Sequence, residues 1–427
     1  MVSVLLRALT SRLRDGADAE GRTYASVRAR HDPDGPSVLV PHDPDETDPL
    51  AAVAARLRTA VPRGTAVVLR TSGSTTGTGH LVALGAAALV ASARATHERL
   101  GGPGRWVLAV PAHHVAGLQV LVRSVVAGTS PVLLDTSAGF DPAALAGAVA
   151  AMPDDAPGYL SLVPTQLVRV LDAGEDRPLR RLAAILVGGA ATAPATLARA
   201  RAAGLRVVTT YGMTETGGGC VYDGVPLPGV RVRTGVDGRV EIAGPMLASG
   251  YLDDPDGGPF VVEAGQRWLR TSDRGRLTPG PGGARLTVLG RVDDLINTGG
   301  VKVSPAAVER LAGPEVVVVG VPDPEWGELV TAVTTTAGSL AVLRATVSAE
   351  LGAAHAPRAL VRIDALPLRG PGKVDRSAVT RLARAALADP GRPGVERHGA
   401  GPDAGPARTA DAEDPHDAPA APHAPAP

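Results

Sequence analysis

The sequence has little of several features that mark particular classes of protein. It contains a single cysteine, Cys220, which excludes a disulfide framework and favours a reducing compartment. It has no uninterrupted apolar run of about 18 residues, the length that a membrane-spanning helix needs. Basic and acidic residues balance at 43 each, so no global field favours nucleic acid or an anionic membrane. These absences predict a soluble, cytoplasmic protein whose partners are small molecules, and they leave a homo-oligomer open.

Aromatic residues make up only 2% of the 427 residues, so the core must be built from small aliphatic side chains. At roughly 100–200 residues per domain, the length predicts two or three domains. Short stretches of strand composition alternate with helical stretches, such as 84–100, through the first half of the chain. The predicted strands are 66–69, 107–110, 131–134, 159–163, 183–187 and 205–210. This alternation predicts a doubly wound α/β fold of parallel strands, whose ligands bind beyond the carboxyl ends of the strands.

The character of the sequence changes twice after this region. Short strands and an Asp237-Gly238 hairpin signal predict a β-rich subdomain at about 225–290, within an N-terminal domain of residues 1–290. Residues 291–388 predict a small, mobile C-terminal α+β domain. The segment 389–427 is rich in Pro and Ala and is predicted to be a disordered tail, because it has almost no large apolar residue to bury.

A loop rich in hydroxyl groups and glycine follows the strand at 66–69. Backbone N–H groups and hydroxyls in such a loop can wrap a polyphosphate, and a flexible linker is the alternative. The pattern is not the GxxxxGK[ST] loop, because no lysine follows the glycines. The loop consists of Thr71, Ser72, Gly73, Ser74, Thr75, Thr76, Gly77, Thr78, Gly79 and His80.

A second candidate segment follows the last predicted strand of the sheet. Its aromatic ring can stack on a nucleotide, its hydroxyl can reach phosphate oxygen, and its carboxylate can hold a hard cation. A strand followed by a glycine-rich turn is the plain structural alternative. The segment reads Tyr211, Gly212, Met213, Thr214, Glu215, Thr216, Gly217, Gly218 and Gly219. Cys220 follows and is interpreted as a packed thiol, because no basic residue beside it lowers its pKa.

Four further charged residues could contribute to the same site. Asp273 ends a short strand, where a carboxylate either accepts ribose hydroxyls or caps a turn. Arg291 and Asp293 lie at the predicted domain boundary and suit a hinge whose ion pairs exchange. Lys373 lies on a Pro/Gly turn, which would hold its ammonium at fixed reach to neutralise charge as a carboxylate attacks a phosphoryl group. Taken alone, Lys373 is also typical of an ordinary surface lysine.

Taken in chain order, these motifs resemble those of the adenylate-forming superfamily of acyl- and aryl-CoA synthetases, adenylation domains and luciferases. The resemblance extends from Ala66 to Arg376 and rests on five motifs in the family's order. The runs 111–118, 188–190 and 217–227 are similar to the o-succinylbenzoate–CoA ligase family of menaquinone biosynthesis. The resemblance implies an ATP-dependent acid–thiol ligase. The acid would attack ATP to give an acyl-adenylate and pyrophosphate, with Mg²⁺ on the phosphates, and CoA would then displace AMP.

The resemblance also implies a role for each residue at a matching position. Thr71 to Gly77 would bind the β- and γ-phosphates, Thr214 the α-phosphate and Glu215 the Mg²⁺ ion. Adenine would be bordered by Gly188, Gly189 and Tyr211, and the ribose would be held by Asp273 and Arg291. Gly212 and Met213 would also belong to the ATP site. Lys373 would bridge the carboxylate and the α-phosphate in the first step. Asp293 would be the pivot of a domain rotation that withdraws Lys373 and brings Gly299 and Gly300 to line the CoA path in the second step. The acyl pocket would include His114, as gate or contact, and Gly217, with Arg123 as a candidate partner for a second carboxylate.

The loop departs from the family's Thr-Gly-x-Pro-Lys pattern at its end. The chain has an extra threonine, and Gly79-His80 stand where Pro-Lys is expected. Loss of a constant positive charge should weaken binding of the pyrophosphate portion by roughly 1–3 kcal/mol if nothing compensates. A protonated His80 could substitute, which predicts a KM for ATP that is lower on the acid side.

Two other functions remain open at this point. One is a related aryl- or acyl-CoA ligase, or an enzyme that loads a carrier protein. The other is a nucleotide-binding relic without catalysis, which the retention of Lys373, Glu215 and Asp273 disfavours. Pyrophosphate release with different acids separates these functions.

Overall fold

The computed structural model describes residues 24–27, 38–41, 61–62, 64–71, 79–136, 139–254, 258–280, 283–369, 373–389 and 391–398. Strands β1–β25 and helices α1–α8 are numbered in chain order through these residues. Within these residues, the confirmed α/β architecture consists of four larger sheets and one two-stranded ribbon. No helix in the described ranges combines the length and the apolar character that a bilayer crossing requires.

The central sheet has seven strands in the order β11-β10-β9-β8-β7-β5-β6. Its strands are β5 (Arg105–Leu108), β6 (Val132–Leu133), β7 (Gly158–Leu162), β8 (Ala184–Val187), β9 (Val207–Met213), β10 (Gly218–Tyr222) and β11 (Val225–Pro226). Strands β5 to β9 are parallel, and β10 and β11 return antiparallel at one edge. The intervening helices are α2 (Val115–Ala127), α3 (Pro142–Ala150), α4 (Pro164–Asp172) and α5 (Pro194–Ala202). The carboxyl ends of the parallel strands therefore meet at one edge, as predicted for ligand binding.

A second sheet corrects the prediction for the chain before residue 105. The strand predicted at 66–69 does not join the parallel sheet but forms an antiparallel hairpin with a strand that the sequence analysis missed, and the helix predicted at 84–100 begins at Ala86. The order β1-β2-β3-β4-β14 comprises β1 (Tyr24–Val27), β2 (Val38–Pro41), β3 (Thr65–Arg70), β4 (Leu81–Gly85) and β14 (Gly250–Tyr251), and β4 leads into α1 (Ala86–Leu100). The apolar run Leu81–Leu84 is at most 6% exposed, and burial on both faces favours a strand there.

The β-rich region forms an antiparallel third sheet. Its strands are β12 (Arg231–Thr234), β13 (Arg239–Ala243), β15 (Phe260–Glu263), β16 (Gln266–Gly280) and β17 (Gly283–Arg291). Asp237-Gly238 turns the chain between β12 and β13, as the hairpin signal predicts, with Gly238 at φ +76°. The long hairpin β16–β17 places Asp273 directly opposite Arg291.

The fourth sheet follows Arg291 and includes β18 (Ile296–Thr298), β19 (Val301–Val303), β20 (Val316–Asp323), β21 (Gly327–Thr334), β22 (Ala359–Arg362) and β25 (Val395–Arg397). Helices α6 (Pro305–Ala312), α7 (Leu340–Leu351) and α8 (Arg376–Ala388) pack with it, and the ribbon pairs β23 (Leu368–Arg369) with β24 (Lys373–Val374). Side chains that include Val317, Val333, Val361 and Val379 form a buried cluster of this region.

The predicted start of the disordered tail, residue 389, is too early in the chain, because residues 395–397 form a strand. Strand β25 pairs antiparallel with β22, and the Glu396 carboxylate accepts the Leu340 N–H at 2.8 Å and a hydrogen bond from Arg362. A carboxylate at the first turn of α7 is stabilising, because the first N–H groups of a helix lack partners within the helix. The hydrogen bonds between β25 and β22 and the Glu396 contact at the start of α7 together order residues 395–397, which have little apolar surface. Residues 399–427 lie outside the described part of the chain.

Candidate active site

Tyr211 joins the end of the central sheet to the β-rich region. Its hydroxyl, on β9, donates to Asp273 Oδ2 at 2.8 Å. Arg291 lies opposite Asp273, with Nη1 4.0 Å from Oδ1, and donates from Nη2 to Asp293 Oδ2 at 3.2 Å. Burial raises the pKa of Asp273, and the Tyr211 hydrogen bond and the Arg291 charge oppose that effect. Burial also raises the pKa of Tyr211 far above its usual value, so its hydroxyl stays a neutral donor.

Glu215 lies on the single turn of 3₁₀ helix, Thr214–Thr216, that links β9 to β10. The Thr216 hydroxyl holds the turn: it accepts the Met213 N–H at 2.9 Å and donates to the Gly218 carbonyl at 2.7 Å. The Glu215 side chain is 8% exposed, and its Oε1 accepts the Tyr251 hydroxyl at 2.6 Å. A buried carboxylate is thereby fixed beside the carboxyl end of β9.

The two ends of the hydroxyl-rich loop are tied together. The Thr71 N–H donates to the His80 carbonyl at 2.8 Å, and the His80 N–H donates to Thr71 Oγ1 at 2.8 Å. The predicted phosphate contacts Ser72, Gly73, Ser74, Thr75, Thr76 and Gly77 lie outside the described residues. The His80 ring stacks on Tyr251 with 4.4 Å between centroids, and its Nδ1 lies 3.1 Å from Asp253 Oδ2.

The structure brings Lys373 to the Gly188-Gly189 turn that follows β8. A Cβ on Gly188 would lie 2.1 Å from Thr210 Oγ1, so only glycine fits there. Gly189 has φ +83°, and a Cβ at this position would lie 3.5 Å from Lys373 Cε. Residues separated by more than 180 positions in the sequence therefore meet at the binding edge of the central sheet.

The residues predicted for the acyl pocket do not all meet. His114 is the N-cap of α2, and its ring centroid lies 4.3 Å from that of His113. Arg123, farther along α2, is 3% exposed, lies 4.8 Å from the centroid of Trp106 and donates from Nη2 to the Tyr222 hydroxyl at 3.3 Å. Arg123 is therefore not a solvated helix residue, and its described contacts are not with His114 or Gly217.

Gln119 is the residue of α2 that contacts Gly217. It is fully buried, and its Nε2 donates to the Gly217 carbonyl at 2.7 Å, which Ser92 Oγ also contacts at 3.2 Å. Gly217 takes φ +58° and ends the Glu215 turn. Sequence reasoning missed Gln119, because a glutamine within an apolar helix carries no motif. It also missed Tyr251 and Asp253, which lie on and beside a strand of two residues.

The segment after the predicted hinge at Asp293 carries a tight turn at the predicted CoA path. Gly299 and Gly300 connect β18 to β19 with φ +54° and +79°, values that favour glycine. A Cβ on Gly299 would lie 2.9 Å from Trp326 Cε3, whereas Gly300 faces open space. Cys220 is buried as predicted, and burial raises the pKa of its thiol to about 12.

Glu215 is the carboxylate predicted to hold a cation, and its surroundings can be compared with what a cation shared with a ligand needs. Within the described ranges, no group of three or more His, Cys, Asp and Glu side chains could hold a metal ion. Glu215 Oε1 is bonded to Tyr251, and its second carboxylate oxygen is a hard ligand at a buried site. Mg²⁺ is commonly held by one or two carboxylates together with substrate phosphates and water, so the residues present fit this ion.

Comparison with known proteins agrees with this geometry. The family of AMP-binding enzymes matches residues 7–252, and the C-terminal domain of AMP-binding enzymes matches residues 306–373. A probable 2-succinylbenzoate–CoA ligase of Mycobacterium tuberculosis is 47% identical over 327 residues, which cover 74% of this chain and 84% of that protein.

Solved structures show the same fold. The o-succinylbenzoate CoA synthetase of Bacillus subtilis, in complex with the acyl-adenylate intermediate, matches with a TM-score of 0.64 and 25% identity, over 78% of this chain and 76% of that one. ATP-bound MatB from Rhodopseudomonas palustris matches with a TM-score of 0.66 and 25% identity, over 80% and 78% of the two chains. Motifs, fold and similarity agree, and the chain belongs to the family of AMP-binding enzymes.

Proposed function

We propose that this chain is a 2-succinylbenzoate–CoA ligase of menaquinone biosynthesis, which activates its acid as an acyl-adenylate and transfers the acyl group to CoA. The observation that carries the reaction class is the approach of Lys373 to Gly189, beside the edge that bears Tyr211 and Glu215. The substrate is supported by the 47% identity to the mycobacterial protein.

In the first step, a carboxylate oxygen of the acid bonds to the α-phosphorus of ATP, and pyrophosphate leaves with the electrons of the broken P–O bond. The Lys373 ammonium would contact the carboxylate and the α-phosphate, where negative charges converge as the bond forms. Thr214 would donate to the α-phosphate. Mg²⁺, when bound at Glu215, would neutralise phosphate charge.

The nucleoside would lie between the Gly188-Gly189 turn and Tyr211, with Gly212 and Met213 continuing β9 along the same wall. Because the Cβ space at Gly188 is already filled by Thr210, the backbone there is close-packed and can present a flat edge to a purine. Asp273 would accept the ribose hydroxyls, and Tyr211 and Arg291 hold its carboxylate in place. The ribose site therefore couples the central sheet to the β16–β17 hairpin.

In the second step, CoA reacts as the thiolate left when its thiol loses a proton: the sulfur bonds to the acyl carbon, and AMP departs with the electrons of the acyl–oxygen bond. We assign residues 1–290 to the N-terminal domain and 291–388 to a lid that pivots at Asp293. Arg291 contacts Asp293 on the exposed side and Asp273 on the site side, so a change of ion pair accompanies such a pivot. The exposed Gly299-Gly300 turn would then line the path of pantetheine.

The acyl group would enter past His114 at the start of α2 and lie against Gly217. The candidate partner for a second carboxylate, Arg123, has its described contacts with Trp106 and Tyr222 and not with His114 or Gly217, and it is a buried guanidinium whose Nε has no hydrogen-bond partner among the described residues. A buried cation of this kind is stabilised when an anion pairs with it. A cytoplasmic location is a proposal that rests on composition alone.

Pyrophosphate release from MgATP, measured in parallel with 2-succinylbenzoate, benzoate and a fatty acid, tests the function. We expect release to be fastest with 2-succinylbenzoate and to be followed by loss of free CoA thiol when CoA is added. Release with benzoate or the fatty acid alone would assign a different ligase. No release with any acid would leave a nucleotide-binding protein without catalysis.

A further inference from the structure

His80 is held at the end of the hydroxyl-rich loop by two residues from a distant part of the chain. Its ring lies parallel to that of Tyr251, with an interplanar angle of 1°. Since a carboxylate only accepts hydrogen bonds, the 3.1 Å contact is an N–H at Nδ1 donated to Asp253 Oδ2. The other oxygen, Oδ1, accepts the Leu81 N–H at 3.1 Å. Asp253 thus fixes both the backbone that follows His80 and the orientation of its ring.

Tyr251 links the same histidine to the buried carboxylate of the site. Its ring supports His80, and its hydroxyl donates to Glu215 Oε1 at 2.6 Å. Tyr251 reaches both residues because β14 pairs with β4, the strand that follows His80. A continuous line of contacts runs from Asp253 through His80 and Tyr251 to Glu215.

The backbone before His80 explains why glycine stands where the family pattern has proline. Gly79 has φ +63°, and a Cβ there would lie 2.0 Å from the Thr71 carbonyl oxygen. Proline is restricted to φ near −65° and cannot occupy this position. The backbone at the end of the loop therefore requires glycine at position 79, and the histidine that follows is supported by the Tyr251 ring and the Asp253 carboxylate.

We propose that Asp253 and Tyr251 are positioning residues that hold His80 against the polyphosphate end of the bound nucleotide. The proposal rests on the proposed function. Because Nδ1–H is donated to Asp253, Nε2 is the ring nitrogen left to contact a ligand, and the His80 side chain is 43% exposed. In the complex, an imidazolium bridges two anions, donating from Nδ1 to Asp253 and from Nε2 to a phosphate oxygen. The stack on Tyr251 keeps Nε2 in register with the cation site at Glu215.

Direct binding of two nucleotides tests the proposal, because AMP lacks the phosphates that His80 would contact. We expect Asp253→Asn and His80→Ala each to weaken MgATP binding roughly tenfold, the scale of one charge-assisted hydrogen bond, with AMP binding within about twofold of wild type. Asp155→Asn is the matched control, because Asp155 pairs with Arg105 at the opposite edge of the central sheet. It should change neither affinity.

The double variant His80→Ala/Asp253→Asn separates positioning from an independent effect. Because Asp253 acts through His80, we expect the double variant to bind MgATP no more weakly than His80→Ala alone. Multiplied effects of the two changes would overturn the proposal. Tyr251→Phe keeps the stacked ring and removes the hydroxyl, so it should raise the Mg²⁺ concentration needed for ATP binding and leave AMP binding unchanged.

If the contacts of Asp253 only stabilise the fold, a different pattern of nucleotide binding is expected. Asp253→Asn would then lower thermal stability and weaken ATP and AMP equally, which overturns this inference and leaves the proposed function intact. A wild-type chain that binds neither nucleotide overturns both. If Asp253→Asn does not fold, His80→Ala provides the test, because the His80 side chain is half-exposed and its truncation should not prevent folding. A loss of affinity confined to ATP supports the proposal, and unchanged ATP binding refutes it.

Discussion

Tyr211 links two sheets through one hydroxyl. Removing only that hydroxyl tests its role in the site without changing the packing of the ring. In Tyr211→Phe the ring remains, but Asp273 loses a donor, so the pKa of its carboxyl rises further and the carboxylate is less firmly placed. We expect AMP affinity to fall about five- to tenfold, equivalent to about 1–1.4 kcal/mol for one hydrogen bond. Calorimetric titration with AMP measures this change.

Tyr159→Phe is the control for this experiment. The Tyr159 hydroxyl donates to the Leu100 and Gly102 carbonyls, so its loss should cost about 1 kcal/mol of unfolding free energy and leave AMP affinity unchanged. Equal AMP affinity in Tyr211→Phe and wild type would remove the ribose role of Asp273 as it is described above.

His97 makes stability depend on pH. Burial, followed by the Arg123 charge, lowers the pKa of His97 from 6.5 to about 4. Between these values the unfolded chain binds a proton that the folded chain does not, so stability falls as pH decreases from about 6.5 to 4. The full loss is about 3 kcal/mol, at 1.36 kcal/mol for each pKa unit.

Urea unfolding at several pH values checks this prediction. His97→Gln should remove most of the decline between pH 6.5 and pH 4 and leave other acid effects in place. A variant whose stability declines as steeply as that of wild type in this window would show that His97 is not the responsible group.

At the scale of elements, the sequence predicted the parallel strands and the helices between them, because their periodicity and boundaries are local signals. It missed β4, because its apolar run continues without a break into α1 and composition alone does not mark the change from strand to helix. It missed the support of His80, because Tyr251 lies 171 positions later on a strand of two residues. The candidate residues were found by motif, whereas the residues that orient them depend on strand pairing.

Strand β25 provides a prediction at this scale. A chain that ends at His398 should unfold at the same temperature as the full chain, because β25 and the Glu396 cap are retained. A chain that ends at Ala388 exposes the edge of β22 and leaves the first turn of α7 without its carboxylate. We expect it to be less stable by roughly 1–3 kcal/mol, from a lost cap and lost ladder bonds.

Thermal denaturation of the two truncated chains and the full chain measures the effect. Equal melting temperatures for all three would mean that β25 contributes nothing to stability. A lower value for the chain that ends at His398 would instead assign stability to residues beyond the described sheet.

At the scale of the whole molecule, the proposed reaction depends on a lid residue reaching the central sheet. The chain has two lysines, Lys373 and Lys302, and both belong to the proposed lid. Lys373→Ala should slow adenylate formation about 10²–10³-fold, the usual effect of removing one group that stabilises transition-state charge. Lys302 is exposed on β19, and Lys302→Ala should form the adenylate at the wild-type rate.

Rapid-quench measurement of the acyl-adenylate, without CoA, gives both rates. Wild-type speed in Lys373→Ala would refute the role of the lid in the first step. The motif resemblance placed Lys373 and Gly189 at one nucleotide site, whereas no local pattern predicts the 3.5 Å approach, because it depends on how distant parts of the chain pack together.

The burial of Cys220 has a practical consequence for following such docking. Its thiol is 1% exposed, and its raised pKa keeps it protonated at neutral pH, so thiol-directed reagents should leave it unmodified. The native chain is in effect a cysteine-free background. Two cysteines introduced on the surface, one on each side of residue 291, would accept spin labels selectively, and the distribution of distances between the labels would show whether the proposed lid moves.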